Sequence, residues 1–303
     1  MRFYVGITDS TWFNFLAERR PDEVNFWRPN SDRNFTAIET GAPFLFKLHS
    51  PSNYIVGGGF LVRHSAVPLS LAWDAFGPNN GAVDYQSFRA LLGKHRTTQD
   101  PDPVIGCTVL GEPFFLTKDQ WIPVPKTWAS NIVTGKCYDM TQGEGLILWS
   151  QVEERLQALE IRPSIVNDGP RYGQEYLARA RLGQGSFRLL VTEAYQRRCA
   201  ITGERILPVL EAAHIKRYSV GGPHRISNGV LLRSDLHTLF DKGYVTITPD
   251  YHVEVSPRLK EKFHNGREYY KFHGRSLEVL PADGTFRPSR EFLEWHNQYS
   301  CAV

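Results

Sequence analysis

The sequence predicts an α+β protein of two domains, and three observations lead to this prediction. Short segments of alternating apolar and polar residues, typical of half-buried strands, dominate the first part of the chain. A strand, a loop, a strand and a short helix are indicated in residues 209–243. Residues 161–175 are rich in proline, glycine and asparagine, as linkers are. We therefore expect a first domain over residues 1–160, a linker over 161–180 and a second domain over 181–303.

Composition is that of a globular protein in water. The 303 residues are 41% hydrophobic and 22% charged, and no run of eighteen apolar residues occurs, so we expect no membrane contact. The N-terminal residues read as a strand and not as a signal peptide. The 4 cysteines form no CxxC pair, which fits a reducing compartment. We therefore expect a cytoplasmic protein.

Charge is unevenly distributed along the chain. The formal net charge is +3, and residues 151–303 carry 22 Lys and Arg against 18 Asp and Glu, with seven of the 10 histidines. An excess of this size is compatible with a nucleic-acid partner, but an ordinary basic surface would show the same balance.

The first domain is predicted to be mostly β. Glycines 57–59 interrupt a strand pattern, which indicates a bulge or a close backbone approach. A helix is predicted where Phe88, Leu91 and Leu92 recur at helical spacing. The predicted elements are strands at 2–8, 44–50 and 54–64, a helix at 85–96, short strands from VIGCTVL to WIPV, and a helix at 145–161.

The second domain is predicted to begin with a helix that carries Phe187, Leu190 and Tyr195 on one face. Ser234 is a favourable N-cap residue for the short helix that Gly243 ends. The remaining elements are strands at 209–215 and 229–233, a hairpin around Pro249-Asp250 and a terminal helix at 288–299.

Four side chains of this second domain point to chemistry at a metal ion. His237 and Asp241 are four residues apart on a predicted helix and share one face, so an imidazole nitrogen and a carboxylate reach a common point. Such a pair suits a divalent cation with open positions. His214, on the facing strand, is mostly neutral at physiological pH and can accept a proton from water. The amide of Asn228 can bond the backbone of the intervening loop and fix the direction of His214.

The segments EAAHI and SNGVLLRSDLHTLFDKG, preceded by GQGSFRLLVTEAYQRRCAITGE, resemble the motifs of HNH nucleases. The resemblance covers residues 180–245 and implies a ββα-metal nuclease domain. It implies that His214 is the general base, that Asn228 braces the hairpin and that His237 binds the metal. Asp241 then occupies the second ligand position on the helix.

Two departures from the HNH pattern change the expected ligands. Many members hold a structural zinc with two CxxC pairs, but Thr202, Arg233 and Leu236 stand at three of the four cysteine positions here. We therefore expect no structural zinc. Many members also have a metal ligand directly before the base, where this chain has Ala213. Glu211 either replaces that ligand or pairs with an arginine.

The resemblance implies hydrolysis of a phosphodiester by water, with one divalent ion (Mg²⁺, Mn²⁺ or Ni²⁺) at each HNH site. Lys216, Arg217 and Arg225 lie in the loop between the strands, where they are expected to contact backbone phosphates or to form a solvated face. One such site cuts one strand, so cleavage of both strands requires two successive cuts or a homodimer.

The segment FWRPNSDRNFTAIETGAPFLFKLHSPSNYIVGGGFLVRHS is similar to EVE and PUA-like domains, which are small β-barrels that hold a nucleobase, often a modified one. Joined to an HNH domain, it implies a modification-dependent restriction endonuclease that acts on double-stranded DNA with 5-methylcytosine or 5-hydroxymethylcytosine. Base recognition of this kind needs aromatic rings for stacking and a carboxylate for the amino group of cytosine. The candidates are Trp27, Trp73, Trp12, Tyr54, Asp32 and Asp74.

Two alternatives remain open. The first domain either reads modified cytosine or reads a sequence in unmodified DNA. Alternatively, the protein binds DNA with a nuclease domain that has lost activity, an interpretation that Ala213 favours and the four chemical residues oppose.

Overall fold

The structure is a computed structural model in which the chain divides into two compact units, residues 1–186 and 187–303. The expected linker lies outside the described residues. No helix of the described residues is long and apolar enough to cross a membrane. The described residues are 2–30, 35–94, 100–158 and 182–299.

A seven-stranded mixed sheet forms the first unit. Its strands are β1 (Arg2–Thr8), β2 (Glu23–Arg28), β3 (Pro43–Leu48), β4 (Tyr54–Pro68), β5 (Val104–Phe115), β6 (Ile122–Pro123) and β7 (Gly135–Asp139). Their order is β2-β5-β4-β3-β1-β7, and β6 pairs with β4. β1 and β3 run parallel, and the other pairings in this sheet are antiparallel.

The sheet is open over the described residues, because its end strands β2 and β7 do not pair with each other. The α+β class is confirmed, but the closed small barrel that the resemblance implied is not.

Two apolar clusters cover the opposite faces of this sheet. Phe44 and Phe46 belong to one cluster and Leu45 to the other, as the alternation of side chains along a strand requires. The first cluster packs against α1 through Trp12, and the second packs against α4 through Leu148. The helices are α1 (Ser10–Arg19), α2 (Leu69–Phe76), α3 (Tyr85–Gly93) and α4 (Gly143–Ala158).

The glycine run in β4 allows close contact with β5. A Cβ atom on Gly57 would lie 2.3 Å from the carbonyl oxygen of Phe114, a distance that no side chain tolerates. The pairing of β4 with β5 also shifts register between Gly58 and Phe60. Both the bulge and the close approach predicted from the sequence are confirmed.

The second unit is built on a ββα arrangement followed by a small hairpin and a terminal helix. The elements are α5 (Gln184–Ala194), β8 (Leu210–His214), β9 (Gly229–Arg233), α6 (Ser234–Asp241), β10 (Val245–Ile247), β11 (Val253–Val255), α7 (Arg258–Phe263), α8 (Arg267–Tyr270) and α9 (Arg290–Tyr299). Phe187 of α5, Leu236 and Phe240 of α6 and Leu293 of α9 are buried in its core. Apolar residues at helical spacing on these three helices therefore face the core of the second unit.

Candidate active site in the second unit

The candidate residues lie on or beside two paired strands, β8 and β9, and on the helix α6 that follows them. β8 and β9 are antiparallel, with His214 opposite Gly229 and Glu211 opposite Leu232. Val230 and Leu232 are fully buried, and α6 begins directly after β9 at Ser234. Because no loop separates β9 from α6, the position of the helix relative to His214 is set by the strand pairing.

Asn228 connects the two ends of the loop between β8 and β9. Its Nδ2 donates to the carbonyl oxygens of Lys216 and Pro223, each at 2.9 Å, and its Oδ1 accepts from the Lys216 amide at 2.8 Å. The side chain is fully buried. Three hydrogen bonds away from water make this amide a rigid brace for the backbone beside His214.

His214 is held by two aromatic neighbours. Its ring stacks on Phe187 with 3.9 Å between centroids, and its Nε2 lies 2.9 Å from Nδ1 of His224. The ring of His224 stacks in turn on Tyr218. His224 is half-buried and bonded to the candidate base, a contact that was not predicted from the sequence.

The environment keeps His214 neutral. Burial, followed by the charges of His224 and His237, lowers the pKa of His214 to about 4. Burial also lowers the pKa of His224. An uncharged imidazole at neutral pH carries a lone pair, which is the form that a general base requires.

His237 is engaged at both ring nitrogens by carboxylates. Its Nδ1 lies 2.5 Å from Oε2 of Glu211, and its Nε2 lies 3.5 Å from Oδ2 of Asp241. Nδ1 and Nε2 point in different directions, so Glu211 and Asp241 approach the ring from opposite sides. Nε2 and Asp241 face the same point, as the spacing of four residues on α6 predicts.

Both ends of α6 are fixed by side chains. At its start, Arg233 bonds Asp235 through two nitrogens, at 2.7 and 2.8 Å. At its end, Nε2 of His296 lies 3.1 Å from the carbonyl oxygen of Phe240, the residue before Asp241. The predicted N-cap was off by one residue, because the cap is Arg233 and Ser234 is the first helical residue.

The donors at this site fit a divalent ion held by two protein ligands. A separation of 3.5 Å between Nε2 of His237 and Oδ2 of Asp241 is that of two ligands on one ion. Among the described residues, no group of three or more His, Cys, Asp or Glu side chains could hold a metal. Glu211 contacts the other nitrogen, which is the usual place of a carboxylate that orients a ligand histidine.

The three basic loop residues are placed differently from one another. Arg217 is exposed and lines an open groove beside Asp241. The ammonium of Lys216 lies 5.8 Å from the centroid of the Trp295 ring. Arg225 is exposed on the other end of the loop, three residues before Asn228.

The first unit contains a cavity of about 550 Å³. Of the candidate pocket residues, Trp12 and Trp27 line it. Trp73 instead lies against Tyr85 and Phe88, and Tyr54 lies against Trp121. Asp74 is exposed and does not line the cavity, and Asp32 lies outside the described residues.

Other polar residues that the sequence analysis missed also line this cavity. Asp9 caps α1 by accepting from the Trp12 amide at 2.8 Å, and Nδ1 of His64 lies 3.0 Å from Oγ1 of Thr108. The indole nitrogen of Trp27 donates to the carbonyl oxygen of Asn80 at 3.0 Å, so its ring is held in place. Asp9 directly follows β1 and His64 lies within β4, 55 residues further along the chain, so no local pattern in the sequence joins them.

Comparison with known proteins finds a matching family model and several solved structures with a similar chain. Residues 199–248 match the family model described as HNH endonuclease. No curated protein matches the chain. Among solved structures, a modification-dependent TagI restriction endonuclease matches 91% of this chain and 75% of its own, at 13% identity and a TM-score of 0.28. A mutant of the ZmASCH protein from Zymomonas mobilis matches 39% of this chain and 77% of its own, at 11% identity and a TM-score of 0.27.

Proposed function

From the HNH endonuclease domain at residues 199–248, we propose that this chain is a metal-dependent endonuclease that cuts double-stranded DNA carrying a modified cytosine. The observation that carries the proposal is the placement of a neutral His214 near the pair formed by His237 and Asp241. A base and a cation site at one place are what hydrolysis of a phosphodiester requires.

In the proposed reaction, His214 accepts a proton from the attacking water while the water oxygen bonds to phosphorus. The bond from phosphorus to the 3′ oxygen breaks, and that oxygen takes a proton from solvent. We assign His214 the tautomer whose Nε2–H donates to Nδ1 of His224. Nδ1 of His214 then carries the lone pair that accepts the proton. Asn228 keeps the strand end in place during these steps.

His237 and Asp241 would hold the divalent ion, with solvent and phosphate oxygens completing its coordination. The ion supplies positive charge that stabilises the phosphate and the leaving oxygen. Glu211 fixes the ring of His237 through Nδ1 and therefore acts as a positioning residue and not as a third ligand. Ala213 is fully buried and adds no ligand.

For the first unit, we propose an EVE- or PUA-like role as the reader of 5-methylcytosine or 5-hydroxymethylcytosine. The support is the cavity lined by Trp12 and Trp27, together with the carboxylate of Asp9. A flipped cytosine needs a ring for stacking and an acceptor for its amino group. The half-buried ring of Trp27 and the exposed carboxylate of Asp9 suit these two roles, while Trp12 is buried in the core beneath the cavity. Asp9 takes the role that the sequence analysis assigned to Asp32 or Asp74.

Plasmid cleavage tests the whole proposal. We expect cuts in methylated or hydroxymethylated plasmid with Mg²⁺, Mn²⁺ or Ni²⁺, none after chelation, and little cleavage of unmodified plasmid. Equal cleavage of both plasmids would instead support an enzyme that reads unmodified DNA. Binding without cleavage under every metal would support a nuclease domain without activity.

Substitution of the base tests the mechanism. His214→Ala should lower the cleavage rate by about 10²- to 10⁴-fold, the usual contribution of general base catalysis, while DNA affinity stays near that of the wild type. His252→Ala, at an exposed histidine in the same unit, is the matched control and should cleave normally. Full activity of His214→Ala would refute the assignment.

A further inference from the structure

An open groove of about 750 Å³ runs beside the end of α6 in the second unit. Asp241, the proposed metal ligand, forms part of its wall, so the groove adjoins the place where the scissile phosphate would lie. We call it the aromatic groove.

Three rings in the aromatic groove are unusually accessible. The side chains of Phe263 and Tyr299 are 53% and 63% exposed, and Trp295 is half-buried. Trp295 and Tyr299 stack on each other at 5.5 Å, so they present one continuous aromatic surface. A cluster of exposed rings marks a surface that is covered when a partner binds.

The same groove is strongly basic. Arg217, Arg258 and Lys262 are exposed along its wall, and Asp241 is the acidic residue among the described residues that line it. Positive side chains around apolar rings suit a ligand that has both phosphates and flat faces. The charge disfavours an ordinary apolar peptide, which offers no anion to these groups.

We propose that the aromatic groove binds unpaired nucleotides of the cleaved strand, next to the phosphate that is cut. Bases stack on Trp295, Tyr299 and Phe263, and the arginines and lysine contact the backbone. Bases in an intact duplex are stacked inside the helix, and a duplex would therefore use the cations alone. This inference rests on the proposed function, because it takes the bound strand to be the substrate.

The test is DNA binding by full-length His214→Ala protein without metal, so that cleavage does not interfere. Three labelled probes are compared by fluorescence anisotropy: a blunt duplex, the same duplex with a short single-stranded gap, and a single strand. Trp295→Ala and Phe263→Ala should each weaken binding of the gapped and single-stranded probes by about tenfold and change blunt-duplex binding little. Trp295→Phe, which keeps a ring, should restore most of the loss.

Charge is tested by a matched pair of double variants. Arg258→Ala with Lys262→Ala should weaken all three probes and reduce the salt dependence of binding. Lys271→Ala with Arg290→Ala removes the same charge outside the groove, and it should have a clearly smaller effect. Thermal melting checks that each variant folds. If Trp295→Ala does not fold, Phe263→Ala still tests the proposal, because Phe263 is exposed and its removal does not disturb the core.

Two outcomes would overturn the inference. Ring variants that bind the gapped and single-stranded probes as the wild type does would show that the rings take no part. An equal loss for blunt and gapped DNA would show that the groove binds duplex. If ring-dependent binding is found but wild-type protein never cleaves, the nuclease function fails, and what stands is that the groove binds unpaired nucleotides.

Discussion

At the scale of single residues, the contact between His214 and His224 fixes the ring of the proposed base in a way that the sequence did not predict. A histidine bonded at one nitrogen and stacked on Phe187 has a fixed ring direction. The neighbour also contributes electrostatically, since the charge of His224 helps to lower the pKa of His214. His224 is therefore a positioning residue that acts through His214.

This role predicts a change in the pH profile. His214 stays neutral down to about pH 4, so wild-type cleavage should persist well below pH 6.5. His224→Ala exposes His214 to water and removes a neighbouring charge, and both changes raise the pKa of His214. The acidic limb of the pH–rate profile should therefore move to higher pH. The ratio of the rate at pH 5.5 to the rate at pH 8 should be smaller for the variant than for the wild type. An unchanged limb would show that His224 has only a structural role.

Glu211 is the second residue whose proposed role rests on one contact. Glu211→Gln keeps the shape of the side chain but weakens the bond to Nδ1 of His237. We expect the affinity for Mn²⁺, measured by calorimetry without DNA, to fall by about 10- to 100-fold. Glu254→Gln, at an exposed carboxylate on β11, is the control. Complete loss of binding would indicate a direct ligand instead.

At the scale of elements, the terminal helix α9 supports α6, the helix that carries His237 and Asp241. His296 of α9 is 2% exposed, stacks on Phe240 and bonds both the Phe240 carbonyl oxygen and Thr246 of β10. Burial lowers the pKa of His296 to about 4. The Nε2–H of His296 thus donates to the carbonyl oxygen of Phe240 at the end of α6, while its Nδ1 faces the hydroxyl of Thr246.

Acid should weaken this support. Between pH 6.5 and 4 the unfolded chain binds a proton at His296 that the folded protein does not, so stability falls as pH falls and levels off below about pH 4. The full effect is about 3 kcal/mol. His296→Phe keeps the ring stack but cannot titrate, so denaturation in urea should show a smaller stability difference between pH 7 and pH 5. His214 and His224 contribute to the slope that remains, because their pKa values are lowered in the same direction.

The predicted elements of the catalytic region agree with the structure to within a residue or two. β8, β9 and α6 lie where alternation, the helical spacing and Gly243 placed them. Elsewhere, α1, α2, β2 and β7 were not predicted. β2 and β7 are held by long-range pairing with β5 and β1, and this pairing leaves no local pattern in sequence.

At the scale of the whole molecule, our proposal assigns recognition of the modified base to the cavity of the first unit and cleavage to the site of the second unit. Contacts with phosphate carry no sequence information, and selectivity therefore has to come from another site. The cavity around Trp12 and Trp27 is the candidate, since it is lined by rings and by polar residues.

Removal of one ring tests this division. Trp27→Ala should reduce the preference for modified over unmodified duplex by about 5- to 100-fold, the range of one base–ring contact, while metal affinity is unchanged. Trp73→Ala removes the same side chain from the same unit but outside the cavity, and it should keep the preference. An equal loss in both variants would indicate general damage to the unit.

The sequence by itself predicted the HNH motif of the second unit, which the family match at residues 199–248 supports. The motif residues His214, Asn228, His237 and Asp241 lie within 28 positions, and local strand and helix periodicity was enough to place them. Only the tertiary structure decided that the first sheet is open, that His224 contacts the base, that Glu211 takes the far nitrogen of His237, and that Trp12 and Trp27 share a cavity. These features depend on side-chain direction and on contacts between distant segments, which follow from packing of the whole unit and not from local spacing.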